Sequence, residues 1–381
     1  MRNAWIGWST LFLVVVGMIL AGNKRVFDPS HWVAASNWLA GQDLYHGRGI
    51  GGFVYLPQAA IFFIPFSLFP PALCEILWRI VNIGTFVAGL RSFSRMGGES
   101  SGKELFPLLT LVTIPFAWDC ARNGQSTLIM TGLMLLTVTD MAHSRWWRAA
   151  LWLCLSVAAK PLSIVLLLLI MAGERRMTWR ILVVSGAVAL APFLAQHTDY
   201  VLRQYAAFIQ NTVTAAHVGV VAHGWSTPFT ALRVAGFFVP EHTQTVIRIV
   251  AAFVTLLLYL VGRRRYDAND SSVFLFSLAA VYIILFSPRT ETVTYALIGP
   301  AVAVFLARAY MIEKRRRESI LLAIIAIVTI GSAVFQRWIA PHAEPIWLPP
   351  LMATFFSVYL IFRLFTDPAT RPQEQSLGAV G

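Results

Sequence analysis

A series of long apolar runs fills almost the whole chain, and the gaps between them are mostly short and basic. The runs lie at roughly residues 5–21, 53–69, 72–92, 105–118, 124–140, 149–172, 181–195, 246–262, 272–287, 294–312, 319–335 and 347–365. Such runs fit lipid better than water. Only 13% of the 381 residues are charged and 57% are hydrophobic, against about 25% charged in an ordinary soluble domain. Within lipid every backbone N–H and C=O needs a partner from the chain itself, which leaves helices or a closed barrel. The runs do not alternate over about ten residues as barrel strands would. The expected fold class is an all-α polytopic membrane protein with about 10–12 spans, each near the 20 residues a bilayer requires.

The net charge of +12 is concentrated in loops: Arg175 and Arg176, Arg263 to Arg265, and Lys314 to Arg317. That is the pattern of cytoplasmic loops in a multi-pass protein, and no soluble domain or motif supports nucleic-acid binding. Placing 173–180, 263–270 and 313–318 in the cytoplasm puts segment 196–227 and the turn Ser287–Tyr295 outside; a cytoplasmic N-terminus puts segment 22–52 outside as well, and the side of residues 93–172 is left open. The membrane domain is expected over 1–366, followed by a disordered tail over 367–381. Cys74, Cys120 and Cys154 are scattered within apolar runs and read as small buried hydrophobes, neither a disulfide framework nor a metal site. Run 5–21 reads as a retained first span.

The two outer segments are too long for turns. In the first, Asp28 precedes Pro29 and Gly41 ends a stretch with Trp32, Val33, Ala35, Ser36 and Leu39 on one partly apolar face. This predicts a capped helix lying at the membrane surface. The second, with Tyr200, Arg203, Tyr205, Asn211, His217 and His223, predicts another interfacial helix plus a loop.

Ionisable groups in or beside membrane helices are costly and so are candidate functional groups. Asp28 either caps the surface helix or serves as a general base, and capping would hold the carboxylate in place for that role. Asp43 reads first as a turn residue and second as a ligand for hydroxyls, with Tyr45 beside it. Tyr55, in Phe53-Val54-Tyr55-Leu56-Pro57, is expected at the interface, with Pro57 opening the next helix. Arg122-Asn123-Gly124-Gln125-Ser126 is either a polar turn, with Asp119 neutralising Arg122, or a set of groups that hold hydroxyls and phosphate. Lys160-Pro161 interrupts run 149–172 with no acidic residue nearby. Pro161 breaks the helix, and the ammonium either snorkels or receives an anion such as a lipid phosphate. Arg289 and Glu291 either pair with each other or form a charged cavity wall. His217 and His223 lack metal-ligand spacing, and His223 is kept as a substrate contact.

No Walker loop, GxSxG, HExxH or dinucleotide fingerprint occurs in a fitting context, so neither cofactor nor metal is expected. A DxD pair, which holds the metal of a nucleotide sugar, is also absent. A sugar transferred by such a chain would come from a lipid phosphate.

Several stretches together resemble the multi-spanning glycosyltransferases of family 87, the polyprenyl-phosphate-mannose-dependent group with a GT-C fold. One is Phe27-Asp28 with Trp32, Ala34 and Ala35, then Gly41-Gln42-Asp43-Leu44-Tyr45. Next come Phe53-Val54-Tyr55-Leu56-Pro57, Leu68-Phe69-Pro70, Leu77-Trp78 and Asn82. Asn123-Gly124-Gln125-Ser126, Lys160-Pro161, and Ser287-Pro288 ahead of the run with Pro300 complete the set. The resemblance implies inverting transfer of a sugar, typically mannose, from polyprenyl phosphate to a hydroxyl of a glycolipid or glycan on the outer face of the cell membrane. It implies Asp28 as the base, with Lys160, Arg122 or Arg289 offsetting charge on the departing phosphate. The chain departs from the pattern at Trp32, in place of Tyr, and at Arg289-Thr290-Glu291, where the family has Trp and His, which implies a subgroup with its own substrate. Other readings of the residues are a transporter or flippase for a lipid-linked sugar, for which no internal repeat is visible, and a structural membrane protein.

Overall fold

The computed structural model describes residues 1–22, 29–46, 52–222, 225–339 and 346–370, without the side chains of 29–30 and 215–222. Asp28 and His223 therefore lie outside the described residues, as does the tail from 371. Among the described residues all regular structure is helical. The helices are α1 (Arg2–Leu20), α2 (Pro29–Leu39), α3 (Pro57–Ser67), α4 (Pro71–Gly98), α5 (Phe106–Asn123), α6 (Thr127–Ala142), α7 (Trp146–Ala159), α8 (Ile164–Gly173), α9 (Arg175–Leu190), α10 (Thr198–Ala222) and α11 (Pro228–Val234). They continue as α12 (Glu241–Arg265), α13 (Ala268–Phe286), α14 (Gly299–Ala307), α15 (Arg316–Ile330), α16 (Ser332–Ile339) and α17 (Leu348–Thr366).

Seven helical stretches are long and apolar enough to cross a membrane, and α15 with α16 forms a further candidate bent by 83° at Gly331. The chain is thus an all-α polytopic membrane protein. The long helices differ in what they face: α13 is 72% buried, whereas α12 is 17% buried and turns Phe253, Leu257 and Val261 outward. A bundle in lipid has this form, because the bilayer solvates an outward apolar face as well as the core does.

Four apolar stretches are short: α3, α6, α7, and Pro161–Gly173. At 1.5 Å per residue, α6, α7 and the stretch to Gly173 rise roughly 24, 21 and 19 Å. The hydrocarbon core is about 30 Å thick. Run 149–172 is one apolar stretch in sequence but two helices in space, broken at Lys160, whose backbone is extended at φ −157° and ψ 116°. Pro161 carries no amide hydrogen and starts the next turn, which explains the break. These helices are shorter than the hydrocarbon core is thick, and α7 and α8 meet at the Lys160 break.

At the opposite end several of the chain's charges are paired. Arg263 meets Glu174 at 2.8 Å, Arg363 meets Glu313 and Glu318 at 2.8 Å each, and Arg315 meets Asp367 at 2.9 Å. Arg308 pairs with Asp270, and Arg265 donates to the Asp367 carbonyl. The three basic loops expected on one side therefore gather at one end of the bundle. Asp367 and Thr370, expected at the start of a disordered tail, are tied to this cluster, Thr370 through the Asp267 amide at 2.9 Å.

The outer segments pack on each other. In α2 the inward face is His31, Ala34, Ala35 and Trp38, spaced as one helix stripe, while Trp32, Val33 and Leu39 are exposed. Ala35 thus belongs to the inner face, not to the outer one expected from sequence. α10 and Gln196 just ahead of it lie along this segment: Gln196 donates to the Trp38 carbonyl, Tyr200 to the Gln42 carbonyl and Asn211 to the Phe53 carbonyl, and Gln204 accepts from the Leu44 amide.

α4 and α6 approach closely: a Cβ on Gly132 would lie 2.5 Å from the Thr85 carbonyl oxygen. Backbone cannot retreat as a side chain can. Gly132→Val should therefore destabilise by about 1–3 kcal/mol or more and lower the unfolding temperature of the purified protein. Gly84→Ala, whose added Cβ meets nothing within 4 Å, should leave it unchanged.

Candidate active site

The α5–α6 turn is the centre of the site. Gly124 ends α5 in the left-handed region at φ +66°, and α6 starts again at Thr127. The carbonyls at the end of α5 lack helical partners, and α4 supplies them. Arg79 Nε donates to the Ala121 carbonyl at 2.8 Å and Nη2 to that of Arg122 at 3.0 Å. Trp78 Nε1 donates to the Gly124 carbonyl at 2.7 Å, and Asn82 Nδ2 to that of Gln125 at 2.9 Å. Asn82 Oδ1 also accepts the Ile129 amide at 2.7 Å, satisfying an orphan donor at the start of α6. Glu75, one helical turn before Arg79, neutralises the guanidinium at 2.5 Å. Trp78, Arg79 and Asn82 are all buried.

Two further elements meet the first turn of α6. His31 of α2 is buried, and its Nε2 lies 3.3 Å from Ser126 Oγ. Its ring packs edge-on against Phe63 at 4.1 Å and lies 4.9 Å from Tyr55. From the α7–α8 break, Lys160 Nζ donates to Thr127 Oγ1 at 2.9 Å. The start of α2 and the Lys160 ammonium are therefore brought to adjacent residues of one helix start, although 129 positions separate His31 from Lys160.

The loop before α14 closes the third side. Cys120 Sγ donates to the Val293 carbonyl at 2.9 Å, and the charges of Lys160, Asp119 and Glu291 all reach Cys120. Thr290 accepts the Ser226 amide at 2.7 Å, so the chain that follows α10 is tied to the same loop. Arg289 is half-buried; burial lowers its pKa while Glu291 works in the other direction.

Among the described residues, Lys160, Arg122 and Arg289 have no carboxylate within 4.0 Å. Asp119 does not pair with Arg122, nor Glu291 with Arg289, so neither neutralising pair expected from sequence forms. Arg122 Nε and Asn123 Oδ1 are buried without a partner. Unpaired cations beside unpartnered buried polar atoms favour an anionic, hydrogen-bonding ligand.

The remaining candidates play other parts. Tyr55, expected at the membrane interface, is buried in the wall around His31, and its carbonyl accepts Tyr45 Oη at 2.7 Å. Burial pushes the Tyr45 phenol well above its ordinary pKa, which keeps it a donor. Asp43 is exposed and makes the turn anticipated for it, accepting the Tyr45 amide at 3.1 Å. Gln125 contributes its carbonyl to the Asn82 bond and is half-buried. Sequence reasoning missed His31, Arg79 and Thr127 as parts of this site. Arg79 carried a readable signal, an acid and a base four residues apart inside an apolar run. Thr127 carried none, since only the fold brings Lys160 to it.

Removing the guanidinium would take away three contacts at once, the hydrogen bonds to the Ala121 and Arg122 carbonyls and the ion pair with half-buried Glu75, and breaking such a buried pair costs about 3–5 kcal/mol. Arg79→Met is therefore expected to lower the unfolding temperature sharply, and adding Glu75→Leu should recover part of the loss. A single variant as stable as the parent would contradict the clamp.

The model of glycosyltransferase family 87 matches residues 53–288, which is more than half of the chain. The match includes Tyr55, the α4 clamp, the α5–α6 turn, Lys160 and the Ser287-Pro288 step. No protein of curated function matches the chain significantly. The family match and the membrane helices agree with the architecture described above: the chain belongs to glycosyltransferase family 87 and is a multi-pass membrane glycosyltransferase.

Proposed function

We propose that the enzyme transfers a sugar, typically mannose, from a polyprenyl phosphate to the hydroxyl of a glycolipid or glycan, with inversion, in a GT-C-like bundle. The site faces the extracytoplasmic side of the cell membrane, with the paired basic loops in the cytoplasm. The observation that carries this reading is Lys160, which has no carboxylate partner among the described residues, stands at a helix break inside an apolar run and donates to the first turn of α6.

A lipid phosphate suits that place. Its prenyl chain stays in lipid while its head group meets Lys160, Arg122 or Arg289. In the reaction the acceptor oxygen attacks the anomeric carbon from the face opposite the phosphate, and the bond from that carbon to the phosphate oxygen breaks. The electron pair leaves on the phosphate, where preorganised cations stabilise it. Asp28, the residue before α2, takes the acceptor proton. This role is supported by the position of His31, one helical turn later, at Ser126 beside the Lys160 contact. His223, in the outer segment 196–227, contacts the substrate in this reading.

With detergent-purified enzyme and polyprenyl-phosphate mannose, release of polyprenyl phosphate reads the reaction. Asp28→Asn should slow it by about 10²–10⁴-fold, the usual worth of general-base catalysis, and near-parent turnover would remove Asp28 as base. Lys160→Ala should weaken donor use by roughly ten- to a hundredfold, as expected for a lost charged hydrogen bond of about 1.5–3 kcal/mol. An unchanged KM and kcat for the donor would count against the phosphate assignment.

A further inference from the structure

Asp119, next to Cys120 on α5, lines a cavity of about 490 Å3, which Lys160, Arg122 and Arg289 do not line. The cavity owes its existence to the 83° break at Gly331: α15 and α16 part there, and both contribute to the wall. A broken span at membrane depth is tolerated where it is enclosed by protein or lines a polar space. The polar groups here include the Asp119 carboxylate, the Arg337 guanidinium and the hydroxyl residues Thr292, Ser332, Thr329 and Tyr295, with Phe116 as an aromatic wall. Asp119 is exposed and has no ion-pair or hydrogen-bond partner among the described residues, and Arg337 Nε is used only within its own helix.

This chemistry differs from that around Lys160. One carboxylate and one guanidinium offset each other, so the cavity offers nothing to an anion that the Lys160 side does not offer better. Acceptors and donors spread around an aromatic face suit a neutral molecule rich in hydroxyl groups. The volume falls within the usual range for small-molecule sites. The cavity also abuts the candidate active site, because Asp119 and Thr292 flank the Cys120–Val293 contact that joins α5 to the loop before α14.

We propose that this cavity receives the neutral sugar of the acceptor, with Asp119 accepting and Arg337 donating hydrogen bonds to its hydroxyls. The inference rests on the transfer reading above and deepens it. It assigns the acceptor to the α5–α15–α16 side of the site and the donor phosphate to the Lys160 side. Asp119 and Arg337 then determine acceptor specificity without touching the phosphate.

The test is saturation-transfer NMR on the detergent-purified full chain, with methyl α-D-mannoside and methyl α-D-glucoside as probes. Wild type should bind at least one of them, and Asp119→Asn and Arg337→Gln should each weaken binding about tenfold, the effect of losing a charged hydrogen bond. Lys160→Ala should leave hexoside binding unchanged. Polyprenyl-phosphate binding on the same samples reads the donor assignment separately; it should persist in the Asp119 and Arg337 variants. No saturation transfer from wild type, or equal binding by wild type and Asp119→Asn, would overturn the proposal.

Discussion

The clamp of α4 on the α5–α6 turn is the interaction on which the site depends. α5 ends there and α6 begins, and the last carbonyls of α5 have no next helical turn to bond with. Trp78, Arg79 and Asn82 satisfy the carbonyls of residues 121, 122, 124 and 125 from three successive positions on one face of α4. With the carbonyls occupied, the turn can lie in the membrane without fraying. The side chains of Arg122, Asn123 and Gln125 are then free for other partners, and the start of α6 is fixed where Lys160 and His31 reach it.

Charge is divided between the two ends of the bundle. At the basic end, Arg263, Arg308, Arg315 and Arg363 each meet a carboxylate, and the arrangement ties loops together. At the other end Lys160, Arg122 and Arg289 have no such partner among the described residues, although Asp119 and Glu291 are near in sequence or in space. Unpaired cations in a membrane protein carry a desolvation cost that folding alone does not repay. An enzyme that must grip a lipid-borne anion, and stabilise it as it leaves, has a use for them. The donor proposed above, a lipid phosphate, gives them that use.

Much of the fold was legible in the sequence because lipid enforces it. Long apolar runs become helices, Pro29 and Gly41 bound a short outer helix, and Pro161 breaks the run that contains Lys160. The Arg122–Ser126 stretch and Lys160 stood out for the same reason, as polar groups where polar groups are expensive. What the sequence did not disclose depends on tertiary approach. Tyr55 looked like an interfacial anchor and is buried around His31, because α2 folds over the start of α3. The pairing of Asp119 with Arg122 looked natural at three residues' separation and does not form. The 83° bend at Gly331 sits inside what reads as one apolar run, since a glycine alone does not announce a break.

The account is tested most directly by a structure of the enzyme determined with polyprenyl phosphate bound. It predicts phosphate oxygens within about 3 Å of Lys160 Nζ, at hydrogen-bonding distance, with the prenyl chain leaving toward lipid. A phosphate seated instead at the paired basic end, among Arg263, Arg264 and Arg265, would contradict it.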